Sequence, residues 1–147
     1  LHTAVATRWV TVKAEAAYFT SDDALRSYSL YVIEAERQLG EWLFTFGYAG
    51  DTNSHSVPPL AFDPERAIAP AFMGRASYTV DPRRTMTLEL AARQNGNGQY
   101  AKGEYSHAVG QRWRATLAAV VLTGRSHDFL GQFDRNSHLT TALRFSF

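Results

Sequence analysis

The sequence contains no cysteine, which excludes three kinds of chemistry at once. Without thiols there is no disulfide framework, no thiolate metal site and no cysteine nucleophile. The lack of cysteine is compatible with the oxidising periplasmic route, but many cytosolic proteins also lack cysteine. Net charge is almost absent as well, since 15 Lys and Arg balance 14 Asp and Glu to leave a formal charge of +1. We therefore expect no nucleic-acid partner.

A long hydrophobic run is also missing. The longest apolar stretch, residues 117–122, is far shorter than the roughly 20 residues that a membrane-spanning helix needs. A transmembrane β-strand needs only about 9–11 residues of alternating character, so modest hydropathy leaves that kind of membrane protein open. The sequence shows neither a signal peptide nor an initiating Met, and Leu1 therefore indicates a processed or truncated start. The length of 147 residues suits a single domain covering 1–147.

What the chain has instead is strict alternation, clearest in its last nine residues, 139–147. Side chains alternate between the two faces of a β-strand, so this segment has one apolar and one polar face. The apolar face carries Leu139, Thr141, Leu143, Phe145 and Phe147, and the other face carries Thr140, Ala142, Arg144 and Ser146. A strand at this position has no turn after it, and the first strand of a closed barrel is the simplest partner for it.

The same segment resembles the closing strand of bacterial outer-membrane β-barrels. The end signal of that family runs polar, any, Gly, any, any, apolar, any, aromatic; Thr140, Phe145 and Phe147 match it, and Ala142 stands where Gly is usual. The resemblance implies an all-β fold, an antiparallel up-and-down transmembrane β-barrel in the bacterial outer membrane. It also implies two partners, the lipid bilayer and the outer-membrane assembly machinery, which would recognise the C-terminal strand.

Alternation recurs upstream in pieces of strand length. They are residues 10–18, 27–37, 42–48, 72–80, 85–93, 100–109 and 113–123. In 27–37 we assign Tyr31, Ile33 and Ala35 to the outward face, because the other register would put Glu34 and Glu36 in lipid. Short, turn-rich links alternate with longer polar ones, as in outer-membrane barrels with short periplasmic turns. The short links are 38–40, 81–84 and 109–111, and the longer ones are 20–26, 50–70, 94–99 and 124–137.

Three tryptophans occupy equivalent places. Trp9, Trp42 and Trp113 each lie near the start of a strand, just after a short turn or an expected one. Amphipathic rings at such positions are typical of the aromatic girdle at a membrane interface, and we place Phe147 in the same girdle.

The strand count leaves two alternatives open. From Thr7 onward the pattern predicts about eight strands, which would make a complete small barrel. Residues 1–6 resemble the end of a further strand, and an odd total would indicate the C-terminal part of a wider barrel with missing N-terminal strands or other subunits.

Charged side chains collect on the inward faces of the predicted strands. Both signs are interleaved, so the residues can pair with one another or line an aqueous channel. These lumen-facing residues are Lys13, Glu15, Glu34, Glu36, Arg75, Glu89, Arg93, Lys102, Glu104, Arg114 and Arg144. In a narrow barrel they would form a plug, whereas in a wider one they would set solute preference.

The sequence shows no arrangement of residues that is typical of a catalytic site. In His127-Asp128 and Ser137-His138 the neighbours point to opposite sides of a strand, so neither pair can work as base and partner there. His55, Asp51 and Ser54 share a polar loop that contains such residues by default. We therefore expect no enzyme activity, no metal site and no cofactor.

The leading functional expectation is a porin-like outer-membrane channel or the barrel portion of an uptake or export system. The first alternative is a soluble, lipocalin-like barrel that binds a small ligand, with its apolar stripes inside. The second is a plugged structural barrel that anchors or recognises a partner through the loop at 50–70.

Overall fold

The structure, a computed structural model, describes residues 2–19, 28–52, 70–94, 98–126 and 130–146. Within these ranges it contains nine β-strands and one short 3-10 helix, Gly131–Asn136. The strands are β1 (His2–Ala6), β2 (Thr11–Phe19), β3 (Tyr28–Leu39), β4 (Trp42–Asp51), β5 (Ala71–Asp81), β6 (Arg84–Arg93), β7 (Gly98–Val109), β8 (Trp113–Gly124) and β9 (His138–Phe145). The described helical content is too short and too polar to contain a membrane-spanning helix.

All nine strands form one sheet in chain order, and each pairs antiparallel with the next. The prediction of an all-β antiparallel up-and-down fold is therefore confirmed. The structure has nine strands, whereas the pattern from Thr7 onward predicts about eight. The additional strand is β1, His2–Ala6. It pairs with β2, with His2 opposite Glu15 and Ala6 opposite Thr11.

The two edges of the sheet are β1 and β9. In the described residues these strands do not pair with each other, so the sheet is not closed. Direction reverses at every step along the sheet, and β1 and β9 therefore run the same way. Antiparallel pairing between them is geometrically excluded, whatever the curvature of the sheet.

Tight turns join the strands at one end of the sheet, across the strand direction and distinct from the outer strands β1 and β9. The β3–β4 turn has Gly40 at φ 58° and the β7–β8 turn has Gly110 at φ 67°. Glycine adopts this left-handed conformation without the steric cost that a Cβ brings. In the β5–β6 turn the Asp81 carboxylate accepts hydrogen bonds from the Arg83 backbone N–H at 2.8 Å and from the Arg84 guanidinium at 2.7 Å. This side is called the short-turn edge below.

The register gives the sheet two chemically distinct faces. In β3, Ile33 lies opposite Tyr48 and Ala35 opposite Phe46, so these residues share a face with the aromatic stripe of β4. The same face continues through Phe72, Leu88, Leu90, Ala101, Val121 and Leu139. We call it the apolar face, and the opposite one the charged face.

Burial on the two faces is inverted relative to a water-soluble protein. Along β6 the apolar-face residues Met86, Leu88 and Leu90 are exposed to 47–51%, whereas Thr87 and Glu89 on the charged face are half-buried. No large side chain in the described residues is fully buried. In β6 the charged face is therefore the more sheltered one, whereas in the outer strands β1 and β9 both faces are exposed.

Candidate functional site

The charged face collects every residue that the sequence assigns to a lumen. Lys13 lies opposite Glu34, and Glu89 lies between Arg75 and Lys102 on the neighbouring strands. By the same register the face also carries Glu15, Glu36, Arg93, Glu104, Arg114 and Arg144. Strand alternation places these side chains together, and the structure shows a shared face without showing an enclosed lumen.

Ion pairs tie adjacent strands together across this face. Lys13 Nζ lies 3.1 Å from Glu36 Oε2, between β2 and β3. Arg75 Nε lies 3.7 Å from Glu89 Oε1, between β5 and β6. The side chains of all four residues are at least one-third exposed, so each pair contributes only about 0–1 kcal/mol to stability. The main effect of the two ion pairs is to hold the four charged groups at defined positions on the charged face.

Within β7 a third ion pair lies along the strand. Lys102 Nζ is 2.9 Å from Glu104 Oε2, two residues away on the same face. At the β1 edge, His2 Nδ1 is 3.8 Å from Glu15 Oε1. Both signs of charge are thus interleaved from β1 to β7.

Two arginines at the β9 side of the face break this balance. Arg114 lies directly opposite Arg144, and like charges in this position repel. Arg114 Nη1 donates a hydrogen bond to Ser106 Oγ at 3.2 Å, and neither arginine forms an ion pair with a described carboxylate. The β8–β9 end of the charged face is therefore positive.

A cavity of about 540 Å³ lies against the middle of the charged face. Its lining includes Glu34 and Glu36 from β3, Arg75 from β5, Glu89 from β6 and Leu130 from the β8–β9 connection. Three carboxylates and one guanidinium line it, which gives a net charge of −2 from these four charged residues. A water-filled space with this lining attracts cations over anions.

The β8–β9 connection packs close to this cavity. Leu130 is buried, and Gly131 follows it at the start of the 3-10 helix. A Cβ at position 131 would overlap the backbone carbonyl of Arg125, so only glycine fits there. Ser137 then anchors the far end, where its Oγ accepts a hydrogen bond from the Leu122 N–H at 3.0 Å. These contacts hold Leu130 against the charged face.

Aromatic rings line the short-turn edge. Trp42 stacks on Phe44 with ring centroids 5.5 Å apart and contacts Tyr78 at 4.6 Å. Trp113 lies 4.8 Å from Phe145 on the neighbouring strand. Trp9 precedes β2 at the same edge, so the three tryptophans do share one edge. Phe147, assigned to the same girdle from the sequence, lies outside the described residues.

Of the neighbouring residue pairs considered for catalysis, only Ser137-His138 lies in the described part of the chain, and its two side chains bind different partners. Ser137 bonds Leu122, whereas His138 Nδ1 contacts the Asn136 carbonyl at 2.6 Å, so the two do not meet. His127 and Asp128 lie outside the described residues, as do Ser54 and His55. The described residues contain no cluster of three or more His, Cys, Asp or Glu side chains that could hold a metal ion.

The list of lumen-facing residues made from the sequence missed several residues that line the cavity, among them Tyr100 and Leu130. Tyr100 shares the strand parity of Lys102 and Glu104, so alternation alone could have placed it on the charged face. Leu130 lies in a connection without periodicity, and no sequence signal identifies its inward position.

Comparisons with known proteins provide no independent assignment of this site. Protein-family models, curated proteins and solved structures were each compared with the chain, and no match was found.

Proposed function

We propose that this chain forms strands of an outer-membrane β-barrel that acts as a porin-like channel or as the barrel portion of an uptake or export system. The observation that carries the proposal is the inverted burial. Phe46, Leu88 and Val121 are exposed to 59%, 47% and 49% on one face, whereas the other face carries Lys13, Glu34, Glu36, Arg75 and Glu89. Lipid is the solvent in which this arrangement is stable.

The exposed apolar face extends across the whole sheet. Soluble monomers rarely expose contiguous apolar patches larger than a few hundred Å². Here every strand contributes to the face, from Val5 on β1 to Leu143 on β9. In a bilayer the same surface lies against acyl chains, and the aromatic short-turn edge lies at headgroup depth.

A soluble, lipocalin-like barrel requires the reverse arrangement. Its ligand cavity would be lined by the aromatic stripe of β4, with the ion pairs of Lys13 and Arg75 in solvent. The 540 Å³ cavity instead lies beside Glu34, Glu36 and Arg75, and the cavity on the apolar face beside Phe46 and Phe72 is smaller, at about 430 Å³. We therefore favour the membrane proposal over the soluble alternative.

Barrel closure is part of the proposal. Backbone groups at an unpaired edge have no hydrogen-bond partner in hydrocarbon, and each costs several kcal/mol, so β1 and β9 need neighbours in a membrane. Since β1 and β9 run in the same direction, a fully antiparallel ring needs an odd number of further strands between them. This favours the wider barrel over the eight-stranded one.

Membrane insertion is tested by fractionation and gel mobility. We expect the protein to remain in the membrane fraction through an alkaline wash and to require detergent for extraction. We also expect the unheated, detergent-solubilised protein to migrate faster than the heated sample, because a folded barrel stays compact in detergent. A protein that stays in solution without detergent would contradict the proposal.

The plugged structural barrel is the second candidate, and the cross-strand ion pairs favour it. Single-channel recording in planar bilayers separates it from the channel. Discrete conductance steps support a channel, whereas a heat-modifiable protein with no conductance supports the plug.

Cation preference gives a residue-level prediction for the channel. Replacing Glu34 with Gln removes one of the carboxylates that line the cavity. A carboxylate about 10 Å from a permeating ion in water stabilises a cation and destabilises an anion by about 0.4 kcal/mol each, so we expect the cation-to-anion permeability ratio to fall about four-fold. Reversal potentials in a salt gradient measure this ratio.

Glu15→Gln is the matched control for that substitution. It makes the same charge change on the same face, at a carboxylate that does not line the cavity. Equal shifts in the two variants would contradict the assignment of the cavity to the ion path.

A further inference from the structure

Two guanidinium groups lie over one indole ring at the short-turn edge. The Cζ atom of Arg8 is 4.8 Å from the centroid of the Trp9 ring, and the Cζ atom of Arg37 is 5.8 Å from it. Trp9 is 62% exposed, so the cluster is accessible from outside the sheet. Cation–π attraction holds each arginine near the ring.

The local backbone positions this cluster. Thr7 Oγ1 accepts hydrogen bonds from the N–H groups of Trp9 and Val10, at 3.3 and 3.1 Å, and donates to the Val10 carbonyl at 2.7 Å. This turn presents Trp9 beside β3. Arg37 lies opposite Phe44 in the β3–β4 register, so it belongs to the apolar face.

The positive charge of the cluster has no carboxylate partner in the described part of the chain. Glu36, the residue before Arg37, is on the charged face and pairs with Lys13. At the same edge Arg84 is neutralised by Asp81, whose Oδ2 lies 2.6 Å from Arg84 Nη2. Within the described residues two cations thus lie near one indole ring, and neither forms an ion pair with a carboxylate.

We propose that Arg8, Trp9 and Arg37 form a binding site for the phosphate of an anionic phospholipid headgroup. The proposal rests on membrane insertion, which places the short-turn edge at headgroup depth. Guanidinium groups bind phosphate through paired, charge-assisted hydrogen bonds, and the indole lies against the glycerol and upper acyl region. An acidic protein partner is disfavoured because the site is continuous with the exposed apolar side chains of Phe44 and Val12.

The test uses full-length protein carrying Trp42→Phe and Trp113→Phe, so that Trp9 is the only tryptophan of these 147 residues, and any tryptophan outside them is replaced with Phe as well. The protein is reconstituted in phosphatidylcholine vesicles that contain a small fraction of brominated phosphatidylglycerol or of brominated phosphatidylcholine. Bromine quenches tryptophan fluorescence at short range, so the ratio of the two quenching signals reports local enrichment of the anionic lipid. We expect about five-fold enrichment per arginine, which corresponds to about 1 kcal/mol each.

Charge-removing variants separate a specific site from a general surface potential. We expect Arg8→Gln and Arg37→Gln each to reduce the enrichment about five-fold and the double variant to abolish it. Arg83→Gln, in the β5–β6 turn of the same edge, removes an equal charge outside the cluster and is expected to leave the enrichment nearly unchanged. If all three single variants lost the same share of the lipid enrichment, the proposed binding site would be contradicted.

The readout also distinguishes failure of this inference from failure of the proposed function. Strong and equal quenching by both brominated lipids would show a membrane-inserted Trp9 without phosphate recognition, which overturns the inference alone. Absence of quenching by either lipid would show that Trp9 does not reach the bilayer, which contradicts the membrane proposal itself.

Discussion

Replacing Leu88 with arginine is expected to destabilise the bilayer-inserted protein by about 2–4 kcal/mol. Leu88 lies at the centre of β6 on the apolar face, 47% exposed, with Ala76 and Gly103 opposite it. In a membrane an arginine there meets acyl chains near the midplane. In water the same substitution at an exposed leucine would change stability by only about 0.5 kcal/mol. Reversible urea unfolding from lipid vesicles measures the difference.

Thr87→Arg is the control, one residue away on the same strand. Thr87 is on the charged face opposite Glu104, where a new arginine gains a carboxylate neighbour. It loses only the hydroxyl contact with Ser77 at 3.2 Å, so we expect a cost of about 0.5–1.5 kcal/mol. Leu88→Arg would therefore be clearly the worse variant in lipid. Equal costs for the two substitutions would contradict the assignment of the apolar face to lipid.

Gly131→Ala is expected to displace the 3-10 helix from β8. The added Cβ would overlap the backbone carbonyl of Arg125, which cannot move aside as a flexible side chain can. Overpacking of this kind costs about 1–3 kcal/mol, and local opening at 130–137 should therefore become about 5- to 150-fold more frequent. Hydrogen exchange of that segment, read by mass spectrometry, measures the change.

Gly103→Ala provides the matched comparison for that experiment. A Cβ at position 103 meets nothing within 4 Å, so the same substitution should leave hydrogen exchange at 130–137 unchanged. In the channel proposal, release of Leu130 from the cavity should also raise single-channel conductance in Gly131→Ala. Unchanged exchange at 130–137 in Gly131→Ala would show that the connection does not depend on this close approach.

Alternation alone predicts most of the sheet. A period of two is a local property of the chain, so faces can be assigned before any partner strand is known. In β6 it assigns Met86, Leu88 and Leu90 to one face and Thr87 and Glu89 to the other. The same reasoning chose the outward register for Ile33 and Ala35, which the structure places beside the aromatic stripe of β4. A one-residue error would have moved a whole strand to the wrong face.

Features that depend on non-local geometry could not be predicted in this way. Residues 1–6 resemble the end of a strand in the sequence, but His2–Ala6 is too short for its pattern to decide between eight and nine strands, and its pairing with β2 decides it. The inward position of Leu130 depends on the close packing of Gly131 against Arg125. The cluster around Trp9 joins Arg8 and Arg37, which lie far apart in the sequence and meet only because β2 pairs with β3.

The shared direction of β1 and β9 has a consequence for self-association. In the proposed membrane barrel, copies inserted by one route would all have the same polarity, so every edge strand of every copy would point the same way. A β9–β9 or β1–β1 contact in antiparallel register would require one copy to be upside down. Two equally oriented copies can therefore join only through parallel strands, and an antiparallel neighbour for either edge must come from a segment of opposite direction.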